Sequence, residues 1–128
     1  MHCHHIMLID DNQALREAMA TMLKLNNYEV TEREHLKEIF DEIELPDLYI
    51  IDYWLQDIQG SSVCSIIKSN SNTKHIPVII MSGDPTIESA VYKVGADAFL
   101  RKPFSMKQML KMINDLLYPL NYSVSGEM

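Results

Sequence analysis

The sequence predicts an α/β fold, in which an open sheet of parallel strands carries helices on both faces. Short apolar runs alternate along the chain with segments whose apolar residues recur at helical spacing. Four of the apolar runs end in charged or hydroxyl side chains, which are Asp10 and Asp11, Asp52, Ser82 and Lys102. Because the carboxyl ends of parallel strands lie at one edge of such a sheet, these residues are expected to converge there.

Three strands and two helices are predicted in the N-terminal half. The strands cover residues 5–9, 28–32 and 48–52. The second alternates polar and apolar residues, as a half-buried strand near an edge does, whereas the third is uniformly apolar and suits a central position. The first helix has Asp11 or Asn12 as its N-cap and the apolar positions Leu15, Ala18, Met19, Met22 and Leu23. The second helix ends at Pro46 and carries Leu36, Ile39, Phe40 and Ile43.

Two strands and three helices are predicted in the C-terminal half. The strands cover residues 76–81 and 98–101, and the helix after residues 60–62 has the apolar positions Val63, Ile66 and Ile67. The next helix has Asp84 as its cap and Pro85 in its first turn, ends before Gly95, and places on one face Ile87, Ala90, Val91 and Val94. The last helix opens with a capping box of Ser105 and Gln108 and buries Met109, Ile113, Leu116 and Leu117.

Length and composition limit the class of protein. A chain of 128 residues with 47% hydrophobic residues suits one packed domain, which is expected to span residues 1–118 and to leave 119–128 as a tail or linker remnant. The net charge of −7 argues against direct nucleic-acid binding, and no apolar run reaches the roughly 20 residues of a membrane span. The N-terminus lacks the pattern of a signal peptide and the two cysteines make no disulfide framework, so a cytoplasmic protein is expected.

The converging residues predict a particular chemistry. Three crowded carboxylates repel one another, and a hard divalent cation such as Mg²⁺ relieves that repulsion because it prefers oxygen ligands. A hydroxyl and an ammonium beside them interact favourably with phosphoryl oxygens. Each residue alone also has a structural interpretation, since Asp10 and Asp11 could cap a helix and Asp52 and Ser82 could be turn residues. Lys102 could likewise be a solvated surface lysine, but the order of the set and its common place at strand ends favour a functional site.

These residues, in this order, resemble the receiver domain of two-component response regulators over the chain up to about Pro119. The resemblance implies a flavodoxin-like fold with five parallel strands in the order 2-1-3-4-5. It implies that Asp52 accepts a phosphoryl group from the phosphohistidine of a histidine kinase or phosphotransfer protein, assisted by Lys102 and Ser82. The implied cofactor is Mg²⁺ or Mn²⁺. Its implied ligands are Asp11 and Asp52 directly, Asp10 through water, and the backbone carbonyl of Trp54.

The resemblance further implies a switch with no enzymatic activity beyond phosphorylation and dephosphorylation of Asp52. Ser82 would move towards the phosphoryl group and Phe99 would turn inward, which would reshape a partner-binding surface from about Asp84 to Leu117. A downstream protein, a covalently linked output domain and a phosphorylation-dependent homodimer all stay open as partners. Two alternatives also stay open: Phe99 as a fixed core residue, and a degenerate receiver that only docks or dimerises.

Some residues depart from the usual receiver pattern. Gln56 occupies a position where family members commonly have Pro, Trp54 is bulky beside the phosphoryl pocket, and Asp84 adds a negative charge shortly after Ser82. Trp54 and Asp84 can shield or orient an attacking water, so the lifetime of the phosphorylated state stays open. The resemblance also suggests a cis bond before Pro103.

Three other interpretations receive less support. A haloacid-dehalogenase-like phosphatase needs an Asp-x-Asp motif after the first strand, and an FMN-binding flavodoxin needs a hydroxyl- and glycine-rich loop there. The chain instead has Asp10-Asp11-Asn12-Gln13. The N-terminal group His2-Cys3-His4-His5 has side chains that suit zinc or copper. Neighbouring residues of a strand point to opposite sides, however, and a chain terminus makes a poor metal cage.

Overall fold

Within the described residues, a helix follows every strand except the second, in agreement with the apolar pattern. The computed structural model describes residues 3–35, 44–56 and 58–119. Its strands are β1 (His5–Ile9), β2 (Glu29–Arg33), β3 (Leu48–Asp52), β4 (Val78–Ser82) and β5 (Ala98–Arg101). The helices within these residues are α1 (Gln13–Leu25), α2 (Gly60–Ser69), α3 (Glu88–Lys93) and α4 (Met106–Leu117), and a 3₁₀ turn at Pro85–Ile87 leads into α3. The helix predicted over residues 36–43 lies outside the described residues.

The five strands are parallel and lie in the order β2-β1-β3-β4-β5, which confirms the predicted fold and strand order. Strands β1, β3 and β4 each have a neighbour on both sides and are buried almost throughout, which explains their uniform apolarity. Strand β2 lies at an edge and is only partly buried, as its alternating pattern predicts. The register pairs Ile9 with Ile51 and Asp52 with Met81, so the carboxyl ends of the central strands are level.

Two hydrophobic cores lie on opposite faces of the sheet, and successive residues of each central strand alternate between them. Met7 and Ile9 belong to one core, whereas Ile6 and Leu8 belong to the other. The first core also contains the buried residues of α2 and α3, which are Val63, Cys64, Ile67 and Val91. The second also contains the buried apolar residues of α1 and α4, which are Met19, Ala20, Leu23, Met109 and Ile113. The helices therefore cover both faces and leave the carboxyl edge of the sheet accessible to loops.

Polar side chains cap α1 and α4, whereas Asp84 caps the 3₁₀ turn before α3 and not α3 itself, which differs from the prediction. Asn12, rather than Asp11, caps α1, because its side chain accepts a hydrogen bond from the Leu15 amide at 3.1 Å. The predicted capping box of α4 is present, with reciprocal hydrogen bonds between Ser105 and Gln108. The Asn12 cap fixes the direction of the chain between Asp10 and Asp11 and the start of α1.

Two predicted buried positions are wrong, and three other residues of the apolar helical patterns are exposed. Ala18, Ile66 and Ala90 are exposed, because α1, α2 and α3 each bury a narrower stripe against the sheet than their apolar spacing suggests. Leu116 and Leu117 are only partly buried at the end of α4. The predicted domain boundary at residue 118 stays a prediction, since residues 120–128 lie outside the described ones. No helix in the described segments has the length and apolarity required to cross a membrane.

Candidate functional site

Three carboxylates lie together at the carboxyl edge of the sheet. Asp52 is the last residue of β3, and Asp10 and Asp11 directly follow β1, the neighbouring strand. One oxygen from each of the three carboxylates lies within 4.8 Å of the other two. Asp10 and Asp52 are 0% and 6% exposed, whereas Asp11 is partly exposed. Within the described parts of the chain, acidic, histidine and cysteine side chains form such a group only here.

Asp10 is a buried carboxylate with one unsatisfied oxygen. Its Oδ1 accepts a hydrogen bond from the Asn12 amide at 2.9 Å, while its Oδ2 has no hydrogen-bond partner among the described residues. Burial is the main cause of the raised pKa of Asp10, and the amide of Asn12 opposes it. The charges of Asp52 and Asp11 raise the pKa further, whereas the charge of Lys102 lowers it. A buried anionic oxygen without a partner is costly, so the position favours a nearby cation.

Lys102 supplies a positive charge that faces these carboxylates. It follows β5, and its Nζ donates a hydrogen bond to Asp52 Oδ1 at 3.0 Å. The same Nζ is 3.7 Å from Asp10 Oδ2, too far for a hydrogen bond. The bond between Lys102 and Pro103 is cis, as the resemblance suggests. One ammonium does not balance three carboxylates, and the side-chain ligand atoms are all oxygens, so the group fits a hard divalent cation.

Ser82 brings a hydroxyl to the same edge. It ends β4, the strand between β3 and β5, and is 1% exposed. Its Oγ accepts a hydrogen bond from the Asp84 amide at 3.1 Å, and its carbonyl accepts one from the Lys102 amide at 2.9 Å. Hydrogen bonds from the side chain and the backbone amide of Thr86 lower the pKa of the nearby Asp84 carboxyl. Because Ser82 Oγ is the acceptor in its bond to Asp84, its hydroxyl proton is available for donation.

In the loop after β3, Gly60 lies close to the backbone of Asp52 and Tyr53. The Gly60 amide donates to the Tyr53 carbonyl at 2.7 Å, and a Cβ at Gly60 would lie 2.5 Å from the Asp52 carbonyl oxygen, so glycine is required. Trp54, whose carbonyl is a predicted ligand, lies in this loop. Its side chain is 54% exposed and packs edge to face against Tyr53, with ring centroids 4.7 Å apart. The loop thus keeps an exposed indole two residues from Asp52.

Two contacts at the site are not predicted from the sequence. The buried guanidinium of Arg16 donates from Nη1 to the Asp10 carbonyl at 2.8 Å and from Nε to Glu32 Oε1 at 3.0 Å. Arg16 therefore ties the loop after β1 to β2, although a single arginine beside apolar helix positions gives no sequence signal for this role. The backbone amide of Gln56 donates to Asp11 Oδ2 at 2.9 Å, and a backbone amide carries no signal at all.

The predicted switch residue Phe99 is a buried core residue in this structure. It lies in β5 beside Ile80 of β4, in the core that α2 and α3 cover. Ser82 lies farther along the same pair of strands, opposite Arg101. The two predicted switch residues therefore occupy adjacent strands, and their movement on phosphorylation stays a prediction.

The described members of the N-terminal histidine and cysteine group separate from one another. The ring of His4 packs edge to face on Tyr118 and shares a 2.9 Å hydrogen bond with its hydroxyl. His5 Nε2 lies 2.6 Å from Thr31 Oγ1, on the neighbouring strand β2. Among the described residues, Cys3, His4 and His5 are not part of a group of three metal-ligating side chains, and His2 lies outside these residues.

A five-stranded parallel sheet in this order, with three carboxylates, a serine and a lysine at its carboxyl edge, defines the receiver class of signalling domains. The model of the response regulator receiver domain family matches residues 6–114, and the chain belongs to this family. The chain is thus a phosphoryl-accepting domain of two-component signalling.

Relatives and solved structures agree with this family. The nisin biosynthesis regulatory protein NisR of Lactococcus lactis subsp. lactis is 29% identical over 114 residues, which cover 86% of this chain and 48% of NisR. Histidine kinase P4 of Formosa agariphila is 31% identical over 119 residues, covering 88% of this chain and 8% of the kinase. The chain thus spans about half the length of the first relative and a small part of the second.

Two solved structures show the same fold. A putative response regulator from Chloroflexus aurantiacus J-10-fl superposes with a TM-score of 0.86 at 27% identity, covering 91% of this chain and 98% of that one. The chemotaxis response regulator CheY4 of Vibrio cholerae gives a TM-score of 0.83 at 22% identity, covering 91% and 100%. The first supports both family and fold, and the second supports the fold.

Proposed function

We propose that Asp52 accepts a phosphoryl group from the phosphohistidine of a histidine kinase or a phosphotransfer protein. The observation that supports this most directly is the 3.0 Å bond from Lys102 Nζ to Asp52 Oδ1 within a group of three carboxylates. An ammonium in this position lies beside the oxygens of any phosphoryl group that Asp52 receives, where it neutralises their charge. The same arrangement weighs against the alternative of a degenerate receiver that only docks or dimerises.

The proposed cofactor is Mg²⁺ or Mn²⁺. Asp11 and Asp52 would ligate it directly, Asp10 through water, and the carbonyl of Trp54 would be a further ligand. The unsatisfied, buried Oδ2 of Asp10 and the all-oxygen donor set support this assignment. When bound, a divalent cation supplies positive charge that offsets the negative charge of the phosphoryl oxygens near Asp52.

The transfer reaction gives each residue a role. A carboxylate oxygen of Asp52 forms a bond to phosphorus while the P–N bond of phosphohistidine breaks, and the electron pair of that bond stays on the donor nitrogen. A proton on the other ring nitrogen makes the departing imidazole neutral. Lys102 neutralises charge on the phosphoryl oxygens, and the Ser82 hydroxyl donates a hydrogen bond to one of them. Hydrolysis restores Asp52 when water attacks phosphorus and phosphate leaves, and we propose no other enzymatic activity.

The proposed output is a change of partner binding. Donation from Ser82 to the phosphoryl group, with an inward rotamer of Phe99, would alter the surface from about Asp84 to Leu117. The partner would be a downstream protein, a covalently linked output domain or a second copy of the chain. Direct nucleic-acid binding is not part of the proposal because the net charge is −7. The proposed location is the cytoplasm.

Intact-mass measurement after incubation with acetyl phosphate and Mg²⁺ tests this function. The wild-type chain should gain one phosphoryl group, and should gain none when EDTA removes the cation. Asp52→Ala should gain none under either condition, because the acceptor oxygen is lost. Asp115→Ala is a matched control, since Asp115 is an exposed carboxylate on α4, paired with Lys111 at 2.8 Å. Uptake by Asp52→Ala at the wild-type rate would show that the acceptor is elsewhere.

A further inference from the structure

The carboxylate of Asp11 is held in a different way from the other two. Asp10 and Asp52 are buried, and they are fixed by the Asn12 amide and the Lys102 ammonium respectively. Asp11 is partly exposed, and the bond to its carboxylate comes from across the site, where the Gln56 amide donates to Oδ2 at 2.9 Å. This bond joins the loop after β1 to the loop after β3, 45 residues apart in the chain.

We propose that the backbone N–H of Gln56 is a positioning group for Asp11 as a ligand of the divalent cation. A partly exposed aspartate samples several rotamers, and only some of them aim an oxygen at the other two carboxylates. The Gln56 amide engages Oδ2 and so restricts the orientations of the carboxylate before the cation arrives. This inference rests on the cation site of the proposed function.

The hydrogen bond to Asp11 depends on which amino acid occupies position 56. Proline has no backbone N–H and cannot donate this bond. Glutamine stands here at a position where receiver domains commonly carry proline. The side chain of Gln56 is not required, because the donor is the backbone. Alanine at position 56 keeps the donor, whereas proline removes it.

Calorimetric titration with MgCl₂ of the chain without bound cation separates these cases. Gln56→Ala should bind Mg²⁺ within about twofold of the wild type, because it keeps the N–H. Gln56→Pro should bind roughly three- to tenfold more weakly, the range expected for the loss of one typical intramolecular hydrogen bond. Equal affinity of the proline and alanine variants would overturn the inference. Equal weakening in both would also overturn it, since the side chain would then be responsible.

Asp11→Ala distinguishes failure of this inference from failure of the proposed function. If Asp11→Ala binds Mg²⁺ as tightly as the wild type, the cation site itself is wrong. If Asp11→Ala loses binding while Gln56→Pro does not, the site stands and only the role of the amide is wrong. Asp10→Ala should weaken binding less than Asp11→Ala does, because its proposed contact is through water.

A second measurement does not depend on the proline variant folding correctly. In the chain without cation, the Gln56 amide proton resonance should lie downfield and should move upfield in Asp11→Ala, because its charged acceptor is removed. The amide resonance of Asn12, whose acceptor is Asp10 Oδ1, serves as the matched reference and should move less. A Gln56 resonance that is unchanged by Asp11→Ala would show that the bond does not form and would overturn the inference.

Discussion

The two halves of the site differ in charge and in the strands that supply them. The loops after β1 and β3 bring three carboxylates, whereas β4 and the loop after β5 bring a hydroxyl and an ammonium. A backbone hydrogen bond joins the halves, since the Tyr53 amide donates to the Met81 carbonyl at 2.9 Å. A second one lies within the half of the hydroxyl and the ammonium, where the Lys102 amide donates to the Ser82 carbonyl at 2.9 Å. The fold thus holds mutually repelling charges together and places the compensating groups on adjacent strands. Substitutions in the two halves should therefore have different consequences.

Lys102→Ala should have the largest effect and should separate cation binding from phosphoryl transfer. The rate of phosphorylation by acetyl phosphate should fall about 100-fold, because the group that neutralises the phosphoryl oxygens is lost. Mg²⁺ should bind more tightly, because the acidic half loses the ammonium that lies 3.0 Å from Asp52 Oδ1 and repels the cation. Intact mass against time gives the rate, and calorimetry gives the affinity.

The exposed lysine on α4, Lys111, provides the control for this substitution. Lys111→Ala removes the same charge from the chain but far from the carboxylates, so both quantities should stay near the wild-type values. If Lys102→Ala weakened Mg²⁺ binding together with the rate, the two halves would not be separable as described.

Asp10→Asn should stabilise the protein without cation at pH 7, which means a larger free energy of unfolding. The pKa of Asp10 is raised, chiefly by burial, so the folded state binds its proton more tightly than the unfolded state does. Its contribution therefore favours folding below the ordinary value of 3.8 and is lost as the pH rises through the raised value. Above that value the ionised, buried carboxylate costs stability, and the charges of Asp52 and Asp11 add to this cost.

Urea unfolding in EDTA at several pH values measures this effect. The advantage of Asp10→Asn should grow with pH and should shrink as the pH falls through the raised pKa, because wild-type Asp10 is then neutral as well. Asparagine at position 10 keeps a side-chain oxygen that accepts from the Asn12 amide, so this hydrogen bond is retained. Saturating Mg²⁺ should stabilise the wild type more than the variant and reduce the difference. A variant that is less stable than the wild type at pH 7 in EDTA would contradict the proposed repulsion.

The sequence predicts the strands and the residues that gather at the site better than the contacts that hold the site together. Uniformly apolar β3 and alternating β2 predict a central and an edge strand, because burial on two faces or one sets the pattern directly. The residues at strand ends follow from the topology of parallel sheets. Arg16 and Gln56 could not be predicted, since one donates to a backbone carbonyl from a helix face and the other donates through its own backbone. The close approach of Gly60 to Asp52 depends on the path of a loop, which no periodicity encodes.

Ser82→Ala should have the smallest effect on phosphorylation and a selective effect on the output surface. A hydrogen bond to a charged acceptor contributes about 1.5–3 kcal/mol, whereas a complete shift between two states needs about 5.5 kcal/mol of differential affinity. Beryllofluoride, a stable phosphoryl mimic, should therefore still bind at Asp52 in the variant, while amide chemical-shift changes across residues 90–107 should be reduced. Ser65→Ala, which alters an exposed serine of α2, should leave those changes intact.

Wild-type shifts confined to the loops around Asp11, Asp52 and Ser82 would mean that phosphorylation is not coupled to α3 and β5. Full distant shifts in Ser82→Ala would mean that a group other than the Ser82 hydroxyl couples phosphorylation to the output surface. The half of the site that contains Ser82 would then only compensate charge.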